Sequence, residues 1–154
     1  MADEIGSQLR RRKETLAVAE SCTGGKVGDL ITDVAGSSDY FLGGIISYSN
    51  RAKIDLLGVR GETLKTRGAV SEEVAIQMAK GVRERMGSTY GIGITGIAGP
   101  SGGSSAKPVG LVYIAVVSSD EVICERVVFK GSRSDVKKAA AEHSLKMLHK
   151  FIAC

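Results

Sequence analysis

The chain of 154 residues has no tryptophan, and its aromatic residues are four tyrosines and three phenylalanines. So few flat rings supply a poor stacking surface for single-stranded nucleic acid. Cysteines number three, and Cys22, Cys124 and Cys154 lie far apart with no C-x-x-C pair. That pattern suggests neither a disulfide framework nor a zinc cluster, and a reduced, cytoplasmic protein is expected. The two histidines, His143 and His149, fall on a helical segment about 240° apart around its axis, so they do not share a metal ion from one face. His143 is expected in the core and His149 in solvent. No Cys, His or carboxylate cluster has metal-ligand spacing, so neither a metal nor any other cofactor is expected. No apolar run approaches the roughly 20 residues that span a bilayer. The polar opening MADEIGSQLRRRKE lacks the apolar stretch of a secretory signal. Membrane and nucleic acid are thus not expected partners.

What is present describes a globular protein. Apolar residues make up 43% and charged residues 25%, enough for one domain with a real core. The net charge of +4 comes largely from Arg10, Arg11, Arg12 and Lys13, which read as a solvated helix face. A single domain over residues 1–154 is expected, with an N-terminal helix at about 3–14 and no second domain.

Glycine is the abundant residue, at 20, and the glycines cluster where apolar runs end. Thr15 to Ala19 is followed by Glu20-Ser21-Cys22-Thr23-Gly24-Gly25. Phe41 to Tyr48 is followed by Ser49-Asn50-Arg51-Ala52-Lys53, and Tyr90 to Thr95 runs into Gly96-Ile97-Ala98-Gly99-Pro100. Short β-branched runs bounded in this way read as buried strands. Helical patterns lie between them. Lys26 to Val34 is one. Asn50 to Leu57 has Asn50 as N-cap and Gly58 as stop. Ser71 to Met86 carries a stripe of Val74, Met78, Val82 and Met86, and a last helix runs from about Ser134 to Phe151. Val109–Val117 and Val122–Phe129 flank a turn at 118–121. The pattern predicts a three-layer α/β/α sandwich with a mixed, mostly parallel sheet and one hairpin.

In such sheets ligands bind at the carboxyl ends of the strands. Those ends offer Ser21 and Thr23, then Tyr48, Asn50 and Lys53, then Thr95 with the glycine loop. If one strand runs antiparallel, the next returns to the same edge and adds Lys130, Ser132 and Arg133. Gly91-Ile92-Gly93-Ile94-Thr95-Gly96 matches a dinucleotide-binding string, but its glycines lie inside an apolar run and no helix follows. Thr23-Gly24-Gly25-Lys26 fails as a phosphate loop, because Glu20 and Val27 stand where Gly and Ser or Thr are needed.

A serine hydroxyl needs a base to become a nucleophile, and a lysine can serve if burial or a helix N-terminus lowers its pKa. Lys53, on the first turn after Asn50, is placed for that, and amides around Gly24 and Gly25 would face an oxyanion beside Ser21. Spacing alone favours a plainer account: Ser21 and Thr23 as helix caps, Lys53 on the surface, Tyr48 packing its ring.

At these same residues the chain resembles a known family. Ala19-Glu20-Ser21-Cys22-Thr23-Gly24-Gly25, Gly43 to Lys53, Gly68-Ala69-Val70-Ser71 and Thr95-Gly96-Ile97-Ala98-Gly99-Pro100 closely resemble the CinA C-terminal domain family, from about Gly6 to the C-terminus. Members include nicotinamide mononucleotide deamidases. The resemblance implies hydrolysis of the carboxamide of nicotinamide mononucleotide (NMN) to nicotinic acid mononucleotide and ammonia, in pyridine nucleotide recycling, by metal-free Ser–Lys chemistry. It implies Ser21 as nucleophile, Lys53 as base and Tyr48 assisting proton transfer. Thr95 would help place the lysine or the substrate. Thr23, Gly24, Gly25, Asn50 and Gly96 would line the substrate site. Arg133 would bind substrate, with Lys137 and Lys138 as alternatives for the 5′-phosphate. Apart from the resemblance, the loop from Gly96 to Gly103 could lend backbone amides to the same phosphate. Many relatives carry a molybdopterin-binding-like domain ahead of this one, which this sequence does not show. A homo-oligomer is expected. The contrasting reading is a nucleotide-binding or regulatory module that keeps the pocket without turnover.

Overall fold

The computed structural model describes all 154 residues. In chain order the elements are α1 (Ala2–Arg12), β1 (Leu16–Glu20), α2 (Lys26–Thr32), a 3-10 turn (Ser37–Asp39), β2 (Phe41–Ile46), α3 (Asn50–Leu57), α4 (Gly61–Arg67), α5 (Glu72–Met86), β3 (Tyr90–Gly96), β4 (Leu111–Val117), β5 (Val122–Val128) and α6 (Arg133–Ala153). The strands form one sheet in the order β2-β1-β3-β4-β5. β1 pairs parallel with β2 and β3, whereas β4 runs antiparallel to β3 and β5. Four of the five strands therefore point the same way, and only β4 opposes them.

Alternation along β1 separates the layers, because successive strand side chains point to opposite faces. Leu16 and Val18 join Ile5 and Leu9 of α1, Val27 and Ile31 of α2 and the inner side of α6 in a core of 21 buried residues. Ala17 and Ala19 face the other way, onto Leu57 and onto Val74, Met78 and Val82 of α5. Each such aliphatic side chain contributes about 1.5–3 kcal/mol on burial, so α5 is held mainly by its stripe. The glycines of β3 belong to this packing. A Cβ at Gly93 would run into the Ala75 carbonyl and come within 2.6 Å of the Ala79 amide, and one at Gly91 would meet the Ala79 carbonyl. The string that mimics a dinucleotide motif is therefore the seat of a helix on a strand.

Several local expectations change. Asn50 is the first residue of α3 and not its cap; Ser49 caps it, its hydroxyl accepting from the Ala52 amide at 3.0 Å. β4 starts at Leu111, after Gly110 takes a positive φ of 91°. The last helix begins at Arg133 behind a reciprocal cap between Ser132 and Asp135. α4 has no counterpart among the sequence patterns; it buries no residue and so has no apolar stripe to betray it. His143 is not a core residue. It sits at the rim, 31% exposed, with Nε2 2.6 Å from the Glu125 carboxylate and its ring edge-on to Phe129. His149 is 30% exposed and lies 3.7 Å from Glu4, so it is half-buried and not fully in solvent. No helix is long and apolar enough to cross a membrane.

Candidate active site

Ser21 follows β1 directly, and its amide continues the sheet by donating to the Ile94 carbonyl at 3.1 Å. The residue before it is held as firmly. Glu20, 2% exposed, accepts from the amides of Gly25 (3.2 Å), Val27 (3.0 Å) and Gly28 (3.1 Å). A carboxylate thus satisfies the N-terminal amides of α2 from below, where its charge suits the positive helix end. Gly24 and Gly25 take φ values of 61° and 104°, which lets the chain double back from Ser21 into α2.

This arrangement moves the oxyanion donors. The Gly24 amide is spent on the Ser21 carbonyl and the Gly25 amide on Glu20. The amides of Cys22 and Thr23, adjoining the Ser21 hydroxyl along the chain, make no hydrogen bond within the protein. They are the available donors, in place of those around Gly24 and Gly25.

Lys53 lies on the first turn of α3 and is 1% exposed. Its Nζ is 3.0 Å from Ser21 Oγ, 2.8 Å from the Ser47 carbonyl and 3.3 Å from the Tyr48 carbonyl. None of these partners is a carboxylate. When charged, the amine donates an N–H to each of the three oxygens; when neutral, two N–H groups keep the carbonyls and the lone pair is left for the proton of the serine hydroxyl. Burial holds the amine below the ordinary lysine value of 10.5, against a smaller opposing effect from Cys22. The Cys22 thiol is pushed up to about 12, chiefly by burial, and stays protonated. The hydroxyls of Thr23 and Ser47, 1% and 0% exposed, have no partner.

A cleft of about 270 Å³ opens over the pair, lined by Ser21, Tyr48, Thr95, Gly96, Gly99 and Arg133 among others. Four chain-distant strand ends therefore meet, β5 having been returned to this edge by the reversal of β4. Tyr48 is 62% exposed and does not pack its ring inward. Arg133 donates from Nη2 to the Tyr48 hydroxyl (2.9 Å) and from Nη1 to the Gly99 carbonyl (2.8 Å), clamping phenol and loop together. Thr95, 1% exposed, donates to the Ala69 carbonyl at 2.9 Å, so the lysine is positioned by Ser47 and Tyr48 carbonyls and not by this threonine. Thr23, Gly24, Gly25 and Asn50 do not line the cleft; Gly24 and Asn50 are exposed outside it. Lys53 lies behind Ser21, out of the lining.

Sequence reasoning passes over Glu20 and Ser47. An acid immediately before a turn that opens a helix is a readable signal for the first. Ser47 acts through its backbone carbonyl, which leaves no residue-type signature. No group of three or more His, Cys, Asp or Glu side chains is placed to hold a metal ion.

Comparison with known proteins agrees with the fold. The family model described as the CinA C-terminal domain matches residues 1–152. The chain is 50% identical over 145 residues to a CinA-like protein of Nostoc sp. PCC 7120, covering 94% of this chain and 34% of that protein. To a CinA-like protein of Picosynechococcus sp. PCC 7002 it is 65% identical over 111 residues, 72% of this chain and 26% of that one. The chain spans about a third of the length of the curated relatives it matches. Among solved structures, the competence/damage inducible protein CihA of Agrobacterium tumefaciens superposes with a TM-score of 0.95 at 39% identity, covering 97% of this chain and 92% of that one. A CinA superfamily protein of Klebsiella pneumoniae 700603 gives a TM-score of 0.95 at 31% identity, over 99% and 95%. Those names speak of competence and damage, not of a reaction.

Proposed function

This chain belongs to the CinA C-terminal domain family, and from that membership and the buried Ser21–Lys53 pair we propose that it is a Ser–Lys amidohydrolase acting on the carboxamide of NMN. The observation that carries the reading is a lysine amine, 1% exposed and without a carboxylate partner, 3.0 Å from a serine hydroxyl at the floor of a cleft. A buried, unpaired lysine costs stability unless it is neutral, and a neutral amine beside a hydroxyl is a general base.

In the first half-reaction Lys53 takes the Ser21 proton as Oγ bonds to the amide carbon. The carbonyl oxygen becomes an oxyanion facing the free amides of Cys22 and Thr23. Lys53 returns the proton to the amide nitrogen, the C–N bond breaks, and ammonia leaves an ester on Ser21. Water then gives its proton to Lys53 and adds to the ester carbon. The C–O bond to Ser21 breaks, Oγ regains the proton, and nicotinic acid mononucleotide is released. Because Arg133 donates to the Tyr48 oxygen, the phenol keeps its own hydrogen for the cleft, where it assists the departing nitrogen.

The test is ammonia release from NMN in the presence of chelator, by the wild type, Ser21→Ala and Lys53→Met. Wild-type turnover is expected, with both variants reduced by about 10³-fold or more. Turnover that survives Ser21→Ala removes the covalent route, and a wild type that releases no ammonia removes the activity.

A further inference from the structure

The buried acid beside the nucleophile has no part in the proton transfers above. Glu20 is 2% exposed and forms no ion pair. A carboxylate taken out of water is costly unless its oxygens are hydrogen-bonded. Three backbone amides do this: Oε1 accepts from Gly25 and Val27, and Oε2 from Gly28. Bonds to an ionised acceptor are about twice as strong as neutral ones. Yet a serine or threonine cap would serve a seven-residue helix without burying a charge, and Gly25 at the cap position brings no side chain. The carboxylate therefore does more than cap α2.

It closes a ring. The turn carrying Ser21 starts from the Glu20 peptide, and the Glu20 side chain holds the Gly25 amide at the end of that turn. Within it, the Gly24 amide donates to the Ser21 carbonyl and the Lys26 amide to the Thr23 carbonyl, while the Ser21 amide is bound to Ile94. Only the amides of Cys22 and Thr23 are left over. The Glu20 carbonyl also accepts from the Ser47 amide at 2.8 Å, which ties the turn to the segment whose carbonyls seat Lys53. Direction matters as well. Successive strand residues face opposite sides, so Glu20 shares the side of Leu16 and Val18 beneath α2, while the Ser21 hydroxyl meets Lys53. An acid one residue from the serine thus stays off the amine.

We propose that Glu20 is a positioning residue: its carboxylate locks the turn from Ser21 to Gly25 in the path that leaves the Cys22 and Thr23 amides free to receive an oxyanion. Its effect on NMN turnover rests on the amidohydrolase reading; its hold on the turn does not, and it can be measured without that substrate.

Glu20→Gln is the discriminating variant, because it keeps length and shape but must aim an NH2 group at one of the three amides, donor against donor. The probe is pyridine-3-boronic acid. Ser21 Oγ bonds to its boron, the hydroxyl proton passes to Lys53, and the tetrahedral boronate carries the negative charge where the oxyanion forms. In the wild type, boron NMR is expected to show uptake, and hydrogen exchange at the Cys22 and Thr23 amides to slow on binding. In Glu20→Gln the boronate affinity is expected to fall by about 10²-fold, as for loss of one oxyanion donor. With NMN, kcat should fall by a similar factor, while KM stays within about two-fold and the pH profile does not move. Partial unfolding would lower the number of boronate sites and not their affinity, which separates positioning from a merely structural role. Boronate affinity that depends on Glu20 in a protein releasing no ammonia leaves the lock standing and removes the deamidase reading. Unchanged affinity in the variant, a loss carried by KM, or a displaced pH profile each overturns the proposal. So do Cys22 and Thr23 amides indifferent to boronate; that result is read on the wild type alone and decides even where Glu20→Gln does not fold.

Discussion

Two hollows on this protein differ in a way that volume does not capture. The larger, about 370 Å³, lies between the ends of α4 and α5 and the edge strand β5, and is rich in chemistry-bearing residues. Several of its groups satisfy one another. Arg67 sits 3.6 Å from Glu73, Lys107 donates to the Arg67 carbonyl at 2.6 Å, and Ser71 caps α5. The Cys124 thiol is pushed up to about 12 by burial and then by Glu72, Glu73 and Glu125, so it stays a thiol. The smaller hollow holds Ser21 over an amine with no carboxylate on it, two amides with no acceptor and a guanidinium with donors to spare. Reactivity lies where bonding capacity remains unspent.

The sharpest way to break this contrast is to substitute both sides. Ser21→Ala and Lys53→Met are expected to lower kcat by about 10³-fold or more, while Cys124→Ala and Glu73→Gln stay within about two-fold of wild type. A comparable loss from either of the latter would relocate the chemistry. Next in size is the clamp. Tyr48→Phe keeps the ring but removes the hydroxyl that Arg133 grips, and a fall of about 10²-fold in kcat/KM is expected, as for removal of one positioned donor.

The pH dependence sharpens the comparison further. Lys53 must be neutral to act, so kcat/KM is expected to rise with pH and level off below the ordinary lysine value of 10.5. Stability carries the same signature. With the folded pKa depressed, the unfolded chain binds more protons in the window between the two values, so stability rises with pH there. As pH rises towards 10.5, the Tm of the wild type should gain on that of Lys53→Met, the two proteins sharing the same cysteines so that thiol ionisation cancels between them. Equal slopes would mean that the amine is charged and solvated. The smallest effect is chemical labelling. At pH 8 iodoacetamide should modify exposed Cys154 first, with Cys22 and Cys124 protected until unfolding and activity unchanged by the first label.

The sequence is most legible where apolar period and punctuation agree. The α5 stripe, the strand ends and the convergence of Ser21, Tyr48, Thr95 and Arg133 all follow from runs ending in glycine or polar residues. Residues acting through the backbone are opaque: the carbonyls that seat Lys53 and the amides left free beside Ser21 are fixed by chain path, not by residue type. The acceptor at Glu20 is written in the sequence but masked by a plainer reading of Ser21 and Thr23 as caps. Burial of Lys53 also lies beyond local pattern, since it depends on β1 and β2 lying side by side. α4 has no apolar face to read.

The reversal of β4 has a consequence for synthesis. A ribosome delivers Ser21 and Lys53 well before Ile94, and the amide of Ser21 has no partner until Ile94 has been made. The clamp on Tyr48 waits for Arg133, and the helix behind that arginine supplies seven of the 21 residues in the main core. A nascent or prematurely ended chain thus carries the hydroxyl and the amine without the scaffold that aligns them. The site is aligned only once α6 has been made and packed.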